Sequence, residues 1–201
     1  KVGNIANTVQ TDVCDGLFVP STTWPYGKSD SHFEAILKEE EGMPGWDKVD
    51  FEFDLMVKNP DPDYVRKWVQ LGASRIVLHA ESSTDLSESF AILSGVVDRG
   101  LAIKVNTPIE QIEKYSKYLL YVQIMGIDKV GFQGQHLNQD IFLKIKEVKE
   151  KFPDLLVQVD GGINSTNAGT ISHAGADRLV IGSTLFNSTD IVDTYKRLER
   201  I

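Results

Sequence analysis

A chain of 201 residues, 41% hydrophobic and 25% charged, is long enough to bury one substantial core, and a single domain over residues 1–201 is expected. The formal charge of -8 excludes general affinity for nucleic acid or an acidic membrane, since both need clustered Lys and Arg. No apolar run reaches the roughly 18 residues that span a bilayer, no charged-then-apolar leader opens the chain, and the lone Cys14 excludes an intrachain disulfide, so a soluble protein of a reducing cytoplasm is expected.

In chain order, the first predicted strand covers residues 8–13 (TVQTDV) and carries Asp12 at its tip. Asp15-Gly16 then turns the chain, Asp15 serving as turn-former, and a long loop with Trp24 and Tyr26 leads to a helix over 31–41. A strand over 49–57 (VDFEFDLMV) carries Asp54 and Met56, and a helix over 61–72 stops at Gly72. The next strand, 74–79, ends on His79, and the Thr84-Asp85 pair opens a helix over 84–98. Strand 101–106 ends at Asn106, Thr107-Pro108 starts a helix over 108–117, and strand 119–125 ends at Met125. A helix over 137–151, a strand over 155–160 with Asp160 at its tip, a helix over 164–174, a strand over 178–182 and a helix over 189–200 complete the pattern.

Strict βα alternation implies a parallel sheet, either closed into a barrel or open and doubly wound. Polar residues at the carboxyl ends of many different strands favour the barrel, whose site is assembled from several strand tips at one mouth. No G-x-G-x-x-G follows the first strand, so no dinucleotide or other organic cofactor is expected. The chain shows seven βα units where a closed (β/α)8 barrel has eight. A further strand and helix is therefore expected upstream, because a missing strand leaves two unpaired edges.

Two consecutive strand ends, "VDGGIN" and "LVIGST", make short glycine turns, and barrels commonly bind phosphate with backbone N–H groups at such places. Gly161, Gly162, Gly182 and Ser183 are the candidate cradle, with the alternative that both turns are merely tight βα connections. A third turn, "GFQGQ", places Gly131 and Gly134 to close over the same phosphate.

The segments "DVCDGLFVPSTTW", "FDLMVKNPDPDYVRKWVQLGASRIVLHAE", "GFQGQ", "VDGGIN" and "AGADRLVIGSTLF" resemble, in order, the signatures of the ribulose-phosphate 3-epimerase family, phosphate-binding TIM barrels. The resemblance runs from about Thr11 to Phe186. It implies a (β/α)8 TIM barrel of the ribulose-phosphate-binding type lacking its first βα unit here, and epimerisation of a small phosphorylated sugar such as D-ribulose 5-phosphate. It further implies that Asp12 and Asp160 are the two acid/base groups acting through an enediolate, and that Met56 lies beside the substrate. A homo-oligomer is compatible with it, and so is cytoplasmic localisation.

One departure matters. The family holds a divalent metal with two histidines and the two aspartates, and the histidine positions read Gln10 and Asp54 here. A ligand set of Gln10, Asp12, Asp54 and Asp160 suits Mg or Mn better than Zn. Metal exchange, metal loss and loss of epimerase activity are thus three distinct expectations. His79 reads either as a substrate contact or as a strand-tip histidine bonded to its neighbours; His32, His136 and His173 read as surface residues. Lys104 lies within a strand and carries no specific signal. A related sugar-phosphate lyase is disfavoured because its Asp-x-Lys-x-x-Asp triad is absent, whereas a catalytically silent phosphosugar binder fits the two replaced histidines.

Overall fold

The structure, a computed structural model, describes residues 3–27, 31–132 and 134–201. Seven strands alternate with helices and stand in the sheet in chain order, β1 to β7. Parallel neighbours need a crossover connection of a dozen or more residues, and the intervening helices supply it. Among the described residues this makes seven βα units in the chain-order parallel arrangement of the (β/α) barrel class. Among the described residues no helix is long and apolar enough to cross a membrane. The chain gathers into two compact units, Lys1–Leu101 with Tyr115–Leu119, and Ala102–Lys114 with Leu120–Ile201.

The first unit holds β1 (Thr8–Cys14), α1 (His32–Leu37), β2 (Asp50–Met56), α2 (Pro62–Gln70), β3 (Ala73–His79) and α3 (Ser87–Leu93). Six consecutive residues of β2, Phe51 to Met56, are buried, as befits a parallel strand covered on both faces. Alternation sorts them: Phe51, Phe53 and Leu55 point one way, Glu52, Asp54 and Met56 the other. The Phe53 ring lies 4.7 Å from that of Trp68 on α2, and Phe33 and Trp24 join at 5.5 and 5.9 Å. Full burial of Phe53 and Trp68 stabilises the packing of α2 on the sheet by about 1.5–3 kcal/mol for each side chain. That helix starts where Asp61 accepts the Tyr64 N–H at 2.9 Å and Pro62 occupies the first turn, and Gly72 at φ 90° turns the chain into β3.

The next elements are β4 (Asp98–Lys104) and α4 (Glu110–Tyr115). The helix expected over 84–98 stops at Leu93, and the strand expected at 101 begins at Asp98. Gly95, at φ 76°, breaks the helix, and the Arg99 guanidinium donates to the carbonyls of Leu93, Val97 and Tyr118 instead.

The second unit carries β5 (Tyr121–Met125), α5 (Ile141–Lys151), β6 (Leu156–Asp160), α6 (Ala168–His173), β7 (Arg178–Val180), α7 (Ser183–Phe186) and α8 (Ile191–Leu198). Ile141, Ile145 and Val148 form the buried stripe of α5 at helical spacing. Asp177 anchors the entry to β7 by accepting from Lys149 Nζ at 2.5 Å and from the Val157 N–H at 2.7 Å. The strand expected over 178–182 ends at Val180, and the four-residue α7 follows it, an element that hydrophobic periodicity is too short to reveal.

Candidate functional site

In the first unit, the register places Gln10 level with Glu52, Asp12 with Asp54, and Cys14 with Met56, so all six side chains share one face of β1 and β2. Asp54 is level with Val77, which brings His79, two residues further along β3, onto the same face. Gln10 Nε2 donates to Glu52 Oε1 at 2.9 Å. His79 Nε2 lies 2.8 Å from Asp54 Oδ1, with both side chains wholly buried. The second imidazole nitrogen is 3.9 Å from Glu81 Oε2, and the Phe18 ring tilts over the imidazole at 5.0 Å. Arg75 lies 3.8 Å from Glu52 and 3.7 Å from Asp98. Met56 is buried against Cys14, sulfur to sulfur 4.0 Å.

Asp12 is the half-buried carboxyl in this group. Burial, then the neighbouring Asp54 carboxylate, raise it from the usual carboxyl range to about 7, with the His79 imidazole pulling the other way. Burial likewise raises the Cys14 thiol, which packs as an apolar side chain.

The long loop after β1 is tied to the tip that carries Asp12. Asp15 accepts from the backbone N–H groups of Leu17, Phe18 and Lys58, each at 2.8 Å, in the turn-forming role its Asp-Gly sequence implies. Thr23 Oγ1 donates to the Asp12 carbonyl at 2.6 Å and accepts from the Cys14 N–H at 2.8 Å. These bonds fix the backbone that follows Asp12.

In the second unit, Gln123 is level with Gln158 and Met125 with Asp160. Gln158 Nε2 donates to Gln123 Oε1 at 2.8 Å, and Gln123 Nε2 to Met125 Sδ at 3.4 Å. The Arg178 guanidinium stands 5.2 Å over the Tyr121 ring. At the tip of β6 the Asp160 carbonyl accepts from Gly126 N at 2.6 Å. Gly161 and Gly162 adopt φ 97° and 73°. A Cβ on Gly161 would lie 2.9 Å from the Ile127 side chain, and one on Gly162 2.7 Å from the Leu137 backbone. The close passage of the loop after β5 therefore already requires both glycines.

Gly182 differs, since a Cβ there meets nothing within 4 Å. It precedes Ser183 and α7, and Thr184 Oγ1 donates to the Ile163 carbonyl at 2.6 Å, binding the two glycine turns to each other. Gly131 and Gly134 take φ 86° and 75° in a turn braced by Gln135, whose amide donates to the carbonyls of Lys129 and Phe132; Gln133 lies outside the described residues. A cavity of about 470 Å³ in this unit is lined by Lys104, Asn106, Asp128, Asn138, Asp140 and Lys144 among others, and none of the expected site residues borders it.

Of the expected ligand set, β1 and β2 contribute Gln10, Asp12 and Asp54. Gln10 turns its amide N–H to Glu52, and Asp54 is engaged by His79. Among the described residues no group of three or more His, Cys, Asp or Glu is disposed to hold a metal ion. Gln10, Asp12 and Asp54 share one face and are the residues of these two strands that would hold a divalent cation.

Sequence reasoning passed over Glu52, Gln123 and Gln158, all buried, together with Arg75 and Arg178. A signal existed in each case: "DFEFD" alternates acids with phenylalanines, and "YVQIM" and "LVQVD" each carry a glutamine at a mid-strand position.

The sequence profile of the Ribulose-phosphate 3 epimerase family matches residues 2–186. A ribulose-phosphate 3-epimerase of Bacillus subtilis is 31% identical over 191 residues, covering 92% of this chain and 82% of that protein. One from Aquifex aeolicus is 29% identical over 201 residues, covering 98% and 85%. Among solved structures, 3-hexulose-6-phosphate synthase from Salmonella typhimurium superposes with a TM-score of 0.66 at 13% identity, covering 97% of both chains. Orotidine 5'-phosphate decarboxylase from Pyrococcus horikoshii OT3 gives 0.64 at 14%, covering 98% of this chain and 87% of that one. At such identities these two structures establish the shared fold alone.

Proposed function

The chain belongs to the ribulose-phosphate 3 epimerase family, and on that premise we propose that it inverts the carbon beside the carbonyl of a ketose phosphate, interconverting D-ribulose 5-phosphate and D-xylulose 5-phosphate or a close relative. The observation that carries this reading is the Asp12 carboxyl, fixed at a strand tip and raised to about 7. A general base is most effective when its proton affinity lies near the working pH, because it is then both available and strong enough to take a carbon-bound proton. Ionised Asp12 removes the proton from C3, leaving an enediolate. The resemblance gives the second acid/base role, returning a proton to that carbon, to Asp160, and the roles exchange in the reverse reaction.

The phosphoryl group is assigned to backbone N–H groups at Gly182 and Ser183, with the turn at Gly161 and Gly162 beside them and the turn at Gly131 and Gly134 as cover. The position preceding a short helix after the last strand is where barrels of this kind commonly hold phosphate. Gly182 supports this role, because no packing contact accounts for the missing side chain. Cytoplasmic action is in keeping with a single buried cysteine.

The test is incorporation of deuterium at C3 of D-ribulose 5-phosphate in deuterated water, with and without added divalent metals. Exchange that Asp12→Asn and Asp160→Asn each abolish is expected; no exchange under any condition removes the epimerase reading. A second reading, a phosphosugar binder without turnover, is favoured by the engagement of Gln10 and Asp54 in side-chain bonds. It predicts thermal stabilisation by the sugar phosphate with no exchange.

A further inference from the structure

We propose that Arg178, the first residue of β7, anchors a binding site for a small monocarboxylate, separate from the glycine turns assigned to the phosphoryl group. The inference does not rest on the epimerase reading. Its content is a cation that the described residues leave without a counter-charge.

Three observations carry it. First, Arg178 is half-buried and its Nη1 is out of solvent, yet among the described residues no oxygen accepts from the guanidinium and no acid pairs with it. The Tyr121 ring at 5.2 Å attracts the charge but offers the N–H groups no oxygen. A buried guanidinium N–H without an acceptor is costly, so an oxygen ligand there is strongly favoured. Second, the neighbouring groups supply no negative charge. Asp177 is committed to Lys149 and to the Val157 N–H, and Asp160, level with Val180, makes no ion pair with Arg178. Gln158, level with Arg178, and Gln123 beside it are neutral amides bonded to each other. Third, β7 is the last strand in the sheet order and each of its three residues is half-buried, whereas Val157, Gln158 and Val159 of β6 are buried. A ligand can thus reach the guanidinium from the edge of the sheet.

These features select the ligand. A guanidinium presents a planar fork of N–H donors that matches the two oxygens of a carboxylate. One uncompensated positive charge is answered by one negative charge, and a phosphate dianion would leave a net charge in a partly desolvated place whose other polar side chains, Gln123 and Gln158, are neutral. Gly182 lies past the opposite end of β7, so the carboxylate and the phosphoryl group would occupy different ends of one strand.

The experiment is saturation-transfer NMR of acetate with the full chain in low-chloride buffer, with inorganic phosphate as competitor, on the unmodified chain and on Arg178→Gln and Arg178→Lys. Saturable acetate binding is expected, at least tenfold weaker in Arg178→Gln and intermediate in Arg178→Lys, which keeps the charge without the fork. Phosphate is expected to displace acetate only at concentrations at least tenfold above those at which acetate itself binds. Absence of saturable binding, binding that Arg178→Gln leaves unchanged, or displacement by phosphate at lower concentration overturns the proposal. An oligomer of the unmodified chain that acetate dissociates and Arg178→Gln abolishes overturns it too, because the carboxylate would then belong to a second copy. Should Arg178→Gln fail to fold, Arg178→Lys and the competition on the unmodified chain still decide.

Discussion

The interior-facing ladders of the two units are built alike and stocked differently. In the first, β1, β2 and β3 bring Asp12, Glu52, Asp54, Arg75 and His79 to one face, every one of them titratable or permanently charged. In the second, β5 and β6 hold Gln123 and Gln158, a neutral amide pair, level with Arg178 and two residues short of Asp160 at a tip rich in glycine. Neutral amides satisfy one another without shifting any proton, whereas packed acids and bases necessarily shift each other's. On the proposed reading, the first unit tunes the Asp12 proton, while the second brings backbone N–H groups at its glycine turns close to an anion and supplies Asp160.

The sharpest way to break this contrast is Asp12→Asn. If the charged ladder tunes the proton carrier, C3 exchange falls about 10²–10⁴-fold, the range that general acid–base groups contribute, while the circular dichroism spectrum is retained. Loss of less than tenfold would place the chemistry elsewhere.

Gly162→Ala probes the other ladder. A Cβ would lie 2.7 Å from the Leu137 backbone at φ 73°, so backbone strain and overpacking combine to cost about 2–5 kcal/mol in denaturant titrations. Gln158→Ala should cost less, about 1–3 kcal/mol, by leaving the buried Gln123 oxygen without its donor. Gly182→Ala should change stability by no more than about 0.5 kcal/mol, because a Cβ meets nothing there. Any rise in KM for the sugar phosphate in that variant then reports the anion site rather than the fold.

The pH dependence of stability separates the ladders again. The folded chain keeps the Asp12 proton up to about 7, while the unfolded chain loses it near the ordinary value of 3.8. Stability from this group is present in full below about 4 and is lost as pH rises to about 7. Asp12→Asn should flatten the stability curve over that window and leave the variant relatively more stable at pH 8; an unchanged curve would mean that the carboxyl titrates normally.

The seven strands were legible because each is an apolar, β-branched run bounded by turn residues, and Asp12, Asp54, His79 and Asp160 were legible at or near their tips. The link between Asp54 and His79 was not, since it joins residues 25 apart through the register of β2 with β3. Asp15 followed from a local rule, turn formation by Asp-Gly, and held. Gly161 and Gly162 were read either as a phosphate cradle or as a tight βα connection. Their contacts with Ile127 and Leu137 depend on the path of a loop that carries no periodic signal, which also hid Gly126, whose Cβ would lie 2.5 Å from the Gly161 oxygen. The early end of α3 turned on Gly95 and on the reach of Arg99, a long-range bond that no window of sequence displays.

A carboxyl-carbon NMR titration of Asp12, with its signal assigned from the one missing in Asp12→Asn, tests the central claim most directly. A midpoint near 7 is predicted, set by burial and by the Asp54 carboxylate. A midpoint near the ordinary value of 3.8 would contradict the account, because Asp12 would then be a solvated carboxylate with no tuned proton to exchange.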